Sequence, residues 1–324
     1  MVKAIRVHTV GGPEQMIYED VTLAPPAAGE VRVRHKAIGL NYIDVYFRSG
    51  LYPAASMPFS PGNEGAGDVV SVGPGVTGFK PGDRVAYVAP PGSYAEERNV
   101  PAHFLVKLPK DIGYDTAAGM MLKGMTVEYL LFRTYRVKKG DTVLVQAAAG
   151  GVGLILCQWA RALGATVIGT VGSADKAKLA KKHGCHHTIL YRDENFAEKV
   201  KEITGGKLCD VVYDGVGAAT FPAALDCLKP LGTFVSFGSA SGPIAAFDIG
   251  LLAKKGSLMA TRPTLFTFLA DRKRLESMAR RLFSAVRKGD VKIPVTARYK
   301  LSQAVEAHKA LEARATTGSI IFLP

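Results

Sequence analysis

The chain has 324 residues, of which 48% are hydrophobic and 21% are charged, a composition typical of globular enzymes and not of disordered chains. Its length exceeds that of one ordinary domain and suits two. The formal net charge of +13 favours anionic partners, which include nucleic acid, membrane surfaces and phosphate-bearing cofactors, without choosing among them.

The sequence shows no sign of a membrane span, a secretory signal or a disulfide framework. No apolar stretch reaches the roughly 20 residues that a transmembrane helix requires. Residues 1–7 alternate like a strand and lack the features of a signal peptide, so we expect a soluble, cytoplasmic protein. Four cysteines without a Cys-x-x-Cys pair argue against disulfides and against a cysteine-rich structural zinc lobe.

The first 110 or so residues predict a mainly β domain. Residues 31–34 and 83–88 alternate apolar and polar side chains, as half-buried strands do. Glycine- and proline-rich turns separate such runs, at 11–13, 81–83 and 90–92 among others.

The pattern changes near residue 115, where two helical stretches, roughly 115–123 and 125–135, lead into alternating strands and helices. The predicted strands are Thr142–Ala147, Thr166–Val171, Thr188–Tyr191, Asp210–Tyr213, Thr233–Phe237 and Ser257–Thr261. The predicted helices between them lie near 151–163, 174–183, 193–203, 219–229 and 248–255. Six strands with helical crossovers indicate an α/β fold with a doubly wound parallel sheet.

The parallel pattern ends near residue 265. A helix is predicted near 271–288, a strand near 295–299, a helix near 302–313 and a final strand at Ser319–Leu323. We expect this last part to return to the first domain. The predicted domains are therefore 1–124 with 266–324, and 125–265.

The first strand–helix turn of the second domain carries a phosphate-binding pattern. Gly150 and Gly153 take the second and third glycine positions of a G-x-G-x-x-G motif, and Ala148 takes the first. Small residues let the backbone approach a pyrophosphate, and the helix that follows offers free N–H groups and the positive end of its dipole. The pattern predicts dinucleotide binding; the alternative is a tight turn that serves packing alone.

The second strand bears on cofactor choice. A site for NAD usually has an acidic residue at the end of this strand, and none is present here. Gly172 leaves room, Ser173 can donate a hydrogen bond, Lys176 brings positive charge, and Tyr191 can help to enclose a phosphate. Asp175 comes later and suits the start of the next helix. These residues favour a 2′-phosphate and hence NADPH, although Lys176 is also explained as an ordinary exposed lysine.

Several motifs together resemble one family. They are Asn41-Tyr42-Ile43-Asp44, Arg48-Ser49-Gly50-Leu51-Tyr52-Pro53, Gly62-Asn63-Glu64-Gly65-Ala66-Gly67, Leu122-Lys123-Gly124-Met125-Thr126, Ala147-Ala148-Ala149-Gly150-Gly151-Val152-Gly153, Val235-Ser236-Phe237-Gly238 and Arg314-Ala315-Thr316-Thr317-Gly318-Ser319. In this order they resemble the quinone oxidoreductase (ζ-crystallin-like) branch of the medium-chain dehydrogenase/reductase superfamily, over nearly the whole chain.

The resemblance implies a GroES-like catalytic domain made by both ends of the chain, a Rossmann domain, and NADPH in the cleft between them. It implies contacts near the nicotinamide, near the pyrophosphate and in the adenosine-phosphate pocket, a basic residue near the cofactor, and two tyrosines that line the substrate pocket. The residues implied near the nicotinamide are Asn41, Thr126, Phe237, Gly238 and Ser239, and those implied near the pyrophosphate are Ala149, Gly151 and Val152. The adenosine-phosphate pocket would contain Ser173, Lys176 and Tyr191, and the basic residue near the cofactor would be Arg314. The two tyrosines of the substrate pocket are Tyr46 and Tyr52.

The same comparison of motifs predicts that no metal is bound. Zinc-dependent relatives have a cysteine in the segment matching 41–44, a histidine where this chain has Asn63, and a cysteine where it has Leu122. A catalytic zinc takes about three protein ligands, and Glu64 alone cannot supply them. His183, His186 and His187 flank Cys185, where a surface turn is the ordinary explanation.

Without a metal, a quinone is an easier acceptor than a simple carbonyl because its conjugated ring spreads the charge that hydride delivery creates. The protein then mainly aligns the reactants, and no obligatory acid–base residue is expected. Asn41, Tyr46 or Tyr52 can donate a hydrogen bond to the acceptor oxygen, while pocket packing also explains the tyrosines.

Two other functions stay open at this stage. Reduction of conjugated enals or enones by NADPH would use the same cofactor site with a different pocket. RNA binding with minor or no catalysis is an alternative of another class, because related proteins include RNA binders and the chain is basic. The resemblance also implies a homodimer, and the apolar strand 257–261 could pair across it.

Overall fold

Fifteen strands and nine α-helices follow one another along the computed structural model, which describes all 324 residues. The chain divides into two compact units. Unit 1 comprises Met1–Lys123, Asp271–Phe283 and Ile293–Pro324, and unit 2 comprises Gly124–Ala270 and Ser284–Lys292. No helix is both long enough and apolar enough to cross a membrane.

Strands dominate the first part of the chain. Its elements are β1 (Val2–Val7), β2 (Met16–Val21), β3 (Glu30–Leu40), α1 (Tyr42–Arg48), β4 (Glu64–Val72), β5 (Arg84–Val88), β6 (Glu97–Pro101) and β7 (Leu105–Lys107). The alternation read from the sequence places Val31 and Val33 in the core, with Arg32 and Arg34 between them on the other face. Helix α1 is an element that the sequence analysis did not predict.

Strands and helices alternate in the middle of the chain. The elements are α2 (Tyr114–Tyr129), β8 (Thr142–Val145), α3 (Gly151–Ala162), β9 (Thr166–Val171), α4 (Ala174–Lys182), β10 (His187–Leu190), α5 (Phe196–Ile203), β11 (Cys209–Asp214), β12 (Leu228–Ser236), α6 (Gly250–Lys254), β13 (Met259–Thr261) and α7 (Leu265–Leu269). The last elements are α8 (Arg272–Lys288), β14 (Val295–Lys300), α9 (Ala304–Glu312) and β15 (Ser319–Leu323).

Unit 1 contains a seven-stranded sheet in the order β14-β15-β3-β4-β5-β7, with β6 pairing β3. The C-terminal strand β15 pairs antiparallel with β3, so the end of the chain completes a sheet that the first hundred residues begin. One core cluster packs around Ile38, Tyr94 and Phe322, and another around Val33, Val85 and Tyr87.

Unit 2 contains a six-stranded sheet in the order β10-β9-β8-β11-β12-β13, in which every pairing is parallel. Strand β8 is the first in sequence and lies between β9 and β11, so the chain order reverses there, as in doubly wound folds. Leu144, Ile168, Val212 and Phe234 contribute to its core. The predicted α/β fold with a parallel sheet and a separate mainly β part is confirmed.

Two predicted helical segments differ from the structure. The helices predicted at 115–123 and 125–135 form one α-helix, α2, continued by a π-helical turn at Leu130–Thr134. The helix predicted near 219–229 is reduced to a short 3-10 turn at Ala223–Cys227. Thr220 and the N–H of Gly217 are bound to Asp214, which holds the preceding residues in a loop, and Leu228 already belongs to β12.

Candidate functional site

Most of the cofactor residues predicted in the strand–helix part of the chain follow the carboxyl ends of strands of one sheet, namely β8, β9, β10 and β12. Val145 of β8 is in register with Gly169 of β9 and Tyr213 of β11, and Tyr213 is in register with Val235 of β12. Strand ends that share a register meet at one edge of the sheet. Ligands of doubly wound folds bind outside this edge, beside the strand where the order reverses.

The turn after β8 is fixed to the next strand by its backbone. Ala147 has a positive φ of 54°, and its carbonyl accepts a hydrogen bond of 2.9 Å from the Gly150 N–H. The Ala148 N–H donates to the Thr170 carbonyl at 2.9 Å, and the Ala147 N–H donates to the Thr170 hydroxyl at 3.3 Å. These hydrogen bonds hold the turn against β9.

The N-terminus of α3 differs from those of its neighbours. Ser173 and Asn195 accept hydrogen bonds from backbone N–H groups at the starts of α4 and α5, whereas Gly150 at the start of α3 has no side chain to do so. The first N–H groups of a helix have no partner within it. Those of Gly151, Val152 and Gly153 thus present donors and the positive helix end at the carboxyl edge of the sheet, which suits a phosphate.

Gly153 permits close packing of α3 against the turn that precedes it. A Cβ atom at this position would lie 2.5 Å from the Ala147 carbonyl oxygen and 2.7 Å from that of Ala148. Both obstacles are backbone atoms, so the helix could not approach the strand as closely with any other residue. Gly150 is less restricted, with a hypothetical Cβ 3.2 Å from the Ala147 oxygen.

Two side chains that follow β10 reach over the glycine that follows β9. A Cβ at Gly172 would lie 2.8 Å from the Tyr191 hydroxyl and 3.5 Å from Nε of Arg192, so both side chains reach over this glycine. The Ser173 hydroxyl oxygen accepts from the Lys176 N–H at 3.4 Å and caps α4. Asp175 lies in the first turn of α4, where it pairs with Lys178.

The loops after β11 and β12 support each other. The Phe237 N–H donates to the Asp214 carbonyl at 2.8 Å, and a Cβ at Gly238 would lie 2.6 Å from the Gly215 oxygen. The Asp214 carboxylate, whose pKa is raised by burial, accepts from the N–H groups of Val216 and Gly217. These contacts place the predicted residues Phe237, Gly238 and Ser239 on a well-supported loop.

Arg262 also supports that loop. Its guanidinium donates to the Ser236 carbonyl at 3.0 Å and to the Ser239 hydroxyl at 3.4 Å. It follows β13 directly. Thr126, the other residue predicted in this part of the chain, is buried on α2.

In unit 1, Asn41 precedes α1 and is held at two points. Its backbone N–H donates to Asp44 at 2.8 Å, and its side-chain amide donates to Glu64 at 2.6 Å. Glu64 is fully buried and also accepts from the Leu122 N–H at 2.6 Å and from the Lys123 ammonium at 3.2 Å. The amide of Asn41 is therefore fixed by a buried ion pair.

The two tyrosines predicted to line a pocket are neighbours. The ring of Tyr46 lies 5.1 Å from that of Tyr52 and 5.5 Å from that of Tyr42, measured between centroids. Burial raises the pKa of Tyr42, and the charge of Arg314 opposes this increase. Arg314 itself is exposed and follows α9.

The segment that matches the zinc ligands of relatives is used otherwise here. The Asn63 amide donates to the Ala89 carbonyl at 3.0 Å, and the Glu64 carboxylate is already paired with Lys123. No group of three or more His, Cys, Asp or Glu side chains is arranged to hold a metal ion.

A separate cavity of about 720 Å³ in unit 1 contains none of the predicted site residues. Phe79, Val106, Arg272 and Phe283 are among the residues that line it.

Several residues that shape these sites were not predicted from the sequence. They are Asp44, Thr170, Arg192, Asp214 and Arg262. Asp214 ends a strand of the parallel sheet, a position at which functional residues of such folds concentrate, and Arg192 follows a residue that was already identified. The contacts of Asp44, Thr170 and Arg262 depend on the fold, and no local pattern indicates them.

Comparisons with known proteins agree with this architecture. Residues 27–110 match the alcohol dehydrogenase GroES-like domain, and residues 151–282 match a domain described as a zinc-binding dehydrogenase. These two domains in this order define a dehydrogenase/reductase with a GroES-like part and a Rossmann part, so the predicted fold class is confirmed.

Individual relatives identify the branch. A quinone oxidoreductase of Pseudomonas aeruginosa is 51% identical and covers 100% of both chains. A 2-haloacrylate reductase of a Burkholderia species is 47% identical over 100% of this chain and 99% of its own. The crystal structure of Escherichia coli quinone oxidoreductase complexed with NADPH is 47% identical, with a TM-score of 0.98 over 99% of this chain and 100% of its own. The chain belongs to the quinone oxidoreductase branch of the medium-chain dehydrogenase/reductase superfamily.

Proposed function

We propose that this chain transfers a hydride from NADPH to a quinone without a metal ion. The observation that carries the proposal is the carboxyl edge of the six-stranded sheet. There the N-terminus of α3 lacks a side-chain cap, and most of the residues predicted to contact a cofactor follow β8, β9, β10 and β12. The quinone oxidoreductase of Escherichia coli, whose fold this chain shares, was crystallised with NADPH.

The residues at this edge fit a dinucleotide phosphate. The N–H groups of Gly151 and Val152 would hold the pyrophosphate beside Ala149 and Gly150, and Gly153 allows the helix to approach. Lys176 and Arg192 would supply positive charge for the 2′-phosphate, with Ser173 and Tyr191 beside Gly172. Thr126, Phe237, Gly238 and Ser239 are proposed to contact the nicotinamide end, together with Asn41 and Arg314. When bound, NADPH supplies the hydride.

The acceptor side requires only alignment and a hydrogen bond. The amide of Asn41 is held by Glu64, which limits the positions from which it can donate to an acceptor oxygen. Tyr46 and Tyr52 present adjacent rings that can contact a planar quinone. Water can protonate the reduced quinone oxygens, so we propose no obligatory acid–base residue.

The test compares acceptors at a fixed saturating concentration of NADPH. Initial rates are measured with 1,4-benzoquinone, 9,10-phenanthrenequinone and a 2-alkenal. We expect kcat/KM for at least one quinone to exceed that for the alkenal. Rapid alkenal reduction beside negligible quinone turnover would overturn the proposal.

Reduction of a conjugated carbon–carbon double bond is the second candidate. The 2-haloacrylate reductase that is 47% identical over the whole chain favours it, because a haloacrylate has its double bond conjugated to a carboxylate. Adding 2-chloroacrylate to the same series of acceptors separates the candidates. A kcat/KM for 2-chloroacrylate above that for either quinone would make this the function.

We also propose a homodimer that pairs the edge strand β13 with its copy. Every residue of this strand is exposed, and Met259, Leu231 and Ile249 are exposed apolar side chains of the same unit. Edge strands with unpaired backbone groups pair readily with another chain.

RNA binding stays a secondary proposal that is based on the positive charge of the chain. A cytoplasmic location stays a prediction. The domain limits, 1–124 with 266–324 for one domain and 125–265 for the other, also stay predictions.

A further inference from the structure

A chain of buried polar groups lies behind Asn41. One oxygen of Asp44, Oδ2, accepts the Asn41 backbone N–H at 2.8 Å and the Tyr94 hydroxyl at 2.9 Å. The Tyr94 hydroxyl oxygen lies 3.0 Å from Nε2 of His308. These four residues connect the start of α1, the loop between β5 and β6, and α9, which are far apart in sequence.

Packing alone does not explain this chain of groups. Asp44, Tyr94 and His308 are all 0% exposed. Oδ1 of Asp44 and Nδ1 of His308 are buried without a hydrogen-bond partner. A buried polar group that lacks a hydrogen-bond partner destabilises the folded state, and more so if it is charged. Apolar side chains of similar size would avoid this cost, so the arrangement points to a role beyond stability.

We propose that Asp44 is a positioning residue for the reaction, which holds Asn41 through its backbone while Glu64 holds the Asn41 side chain, and that Tyr94 and His308 keep Asp44 ionised and in place. This inference rests on the proposed role of Asn41 at the acceptor. Asn41 would then be fixed at both ends by carboxylates from different parts of unit 1.

The direction of the hydrogen bonds depends on the protonation of Asp44. Ionised Asp44 accepts from both Asn41 and Tyr94, which requires His308 to donate its Nε2 hydrogen to the Tyr94 oxygen. Protonated Asp44 would instead donate to the Tyr94 oxygen, and Tyr94 would donate to Nε2, moving the His308 hydrogen to Nδ1. Only the ionised form binds Asn41 with a charged acceptor, which makes a stronger hydrogen bond than a neutral one.

The surrounding charges set where this change occurs. Burial is the main cause that raises the pKa of Asp44 to about 7, and Glu64 adds to it. The hydrogen bonds from Asn41 and Tyr94 and the charge of Lys123 oppose the increase.

At the opposite end of this series of buried polar groups, the surroundings act on the pKa of His308. Burial, and then the charge of Arg48, lower the pKa of His308 to about 3, so it stays neutral when Asp44 titrates. Arg48 is itself paired with Glu312 at the end of α9. Among the buried polar groups that lie behind Asn41, Asp44 is thus the one that changes charge near neutral pH.

Turnover should therefore increase with pH through the pKa of Asp44. We expect kcat for the preferred quinone, at saturating NADPH, to be lower at pH 6 than at pH 8. Tyr94→Phe removes a hydrogen bond that favours the ionised form, so the inflection should move to higher pH. A shift of one unit lowers the ionised fraction at pH 7 from about one half to about one tenth, and kcat about five-fold.

Tyr87→Phe is the matched control. Tyr87 is also a fully buried tyrosine of unit 1, and its hydroxyl contacts a buried histidine, His35, at 2.7 Å. We expect this variant to keep the wild-type inflection and kcat. Asp44→Asn should lose the inflection, and all three variants should keep the Kd for NADPH within about two-fold. Tyr94→Phe behaving like Tyr87→Phe would overturn the proposal.

A spectroscopic measurement does not depend on turnover. In wild-type protein labelled with 15N-histidine, the His308 hydrogen should move from Nε2 to Nδ1 between pH 8 and pH 6, and in Asp44→Asn this change should be absent. A tautomer that is the same at both pH values in the wild type would also reject the inference. Asn41→Ala separates the two proposals, because unchanged kcat in that variant rejects the role of Asn41 even if the tautomer change occurs.

Discussion

At the scale of single residues, the structure adds contacts to positions that the sequence had already marked. Gly172 was expected to leave room, and the structure fills that room with the Tyr191 hydroxyl and with Arg192. Ser173 was expected to donate to a phosphate, and its oxygen also caps α4. The hydroxyl accepts from the Lys176 N–H through its oxygen, so its hydrogen can still be donated.

Lys176 permits a test of cofactor preference. We predict that Lys176→Ala raises KM for NADPH about ten-fold or more and leaves KM for NADH nearly unchanged, because only NADPH carries the 2′-phosphate that this charge is proposed to bind. Lys178→Ala is the control, since Lys178 lies on the same helix and pairs with Asp175. Steady-state kinetics with each cofactor provide the measurement. Equal effects on both cofactors would remove Lys176 from the phosphate site.

At the scale of elements, the packing of α3 against the turn after β8 depends on one glycine. We predict that Gly153→Ala lowers the free energy of unfolding by about 1–3 kcal/mol and weakens NADPH binding, because its Cβ meets backbone oxygens that cannot move aside. Urea unfolding and fluorescence titration with NADPH would measure the two effects.

Gly150→Ala is the comparison for this prediction. Gly150 has extended backbone angles, and its Cβ would be 3.2 Å from the nearest atom outside its chain neighbours. We expect it to change stability by less than about 0.5 kcal/mol. If both variants lose stability equally, close approach at Gly153 is not what the motif requires.

At the scale of the whole molecule, buried histidines make the fold sensitive to acid. Burial is the main cause that lowers the pKa of His35 to about 4 and that of His308 to about 3, from 6.5. As the pH falls, the unfolded chain therefore binds protons before the folded protein does. The stability that depends on neutral His35 and His308 is present above pH 6.5 and is lost as the pH falls through 6.5 towards 4 and 3. Asp44 acts in the opposite direction, since its raised pKa means that its contribution is lost as the pH rises through about 7.

Burial lowers the pKa of three histidines, His35, His186 and His308, and raises the pKa of two carboxylates, Asp44 and Asp214. The histidines outnumber the carboxylates, so the folded state loses stability overall as the pH falls below 6.5. We predict that the free energy of unfolding in urea is lower at pH 5 than at pH 6.5, and that His35→Gln reduces this difference. His8→Gln, at an exposed position, should not reduce it. An unchanged pH dependence in His35→Gln would contradict the assignment.

The edge of the six-stranded sheet carries the prediction about assembly. Met259→Lys places a charge on the exposed edge strand β13, where it would face its copy across a pairing of the two sheets. We predict a shift from dimer to monomer in light scattering, with the far-ultraviolet circular dichroism unchanged. A wild type that is monomeric at micromolar concentration would contradict the proposed dimer.

The sequence by itself determined the alternation of strands and helices over residues 142–261, the parallel sheet and the glycine-rich turn after β8, because each depends on local patterns. Strand alternation, helix starts and small residues at a turn are all readable within a few positions, and Thr166–Val171 and Ser319–Leu323 were predicted with the bounds the structure has. The short helix α1 and the loop at 214–220 were not predicted, because each is held by a buried carboxylate. Asp44 holds the start of α1, and Asp214 holds the loop.

Only the tertiary structure decided which side chains hold Asn41. Glu64 lies 23 positions from Asn41 along the chain, Tyr94 lies 50 positions from Asp44, and His308 lies 214 positions from Tyr94. No periodicity or motif records such a meeting, because it arises when antiparallel strands and a C-terminal helix close over the same buried space.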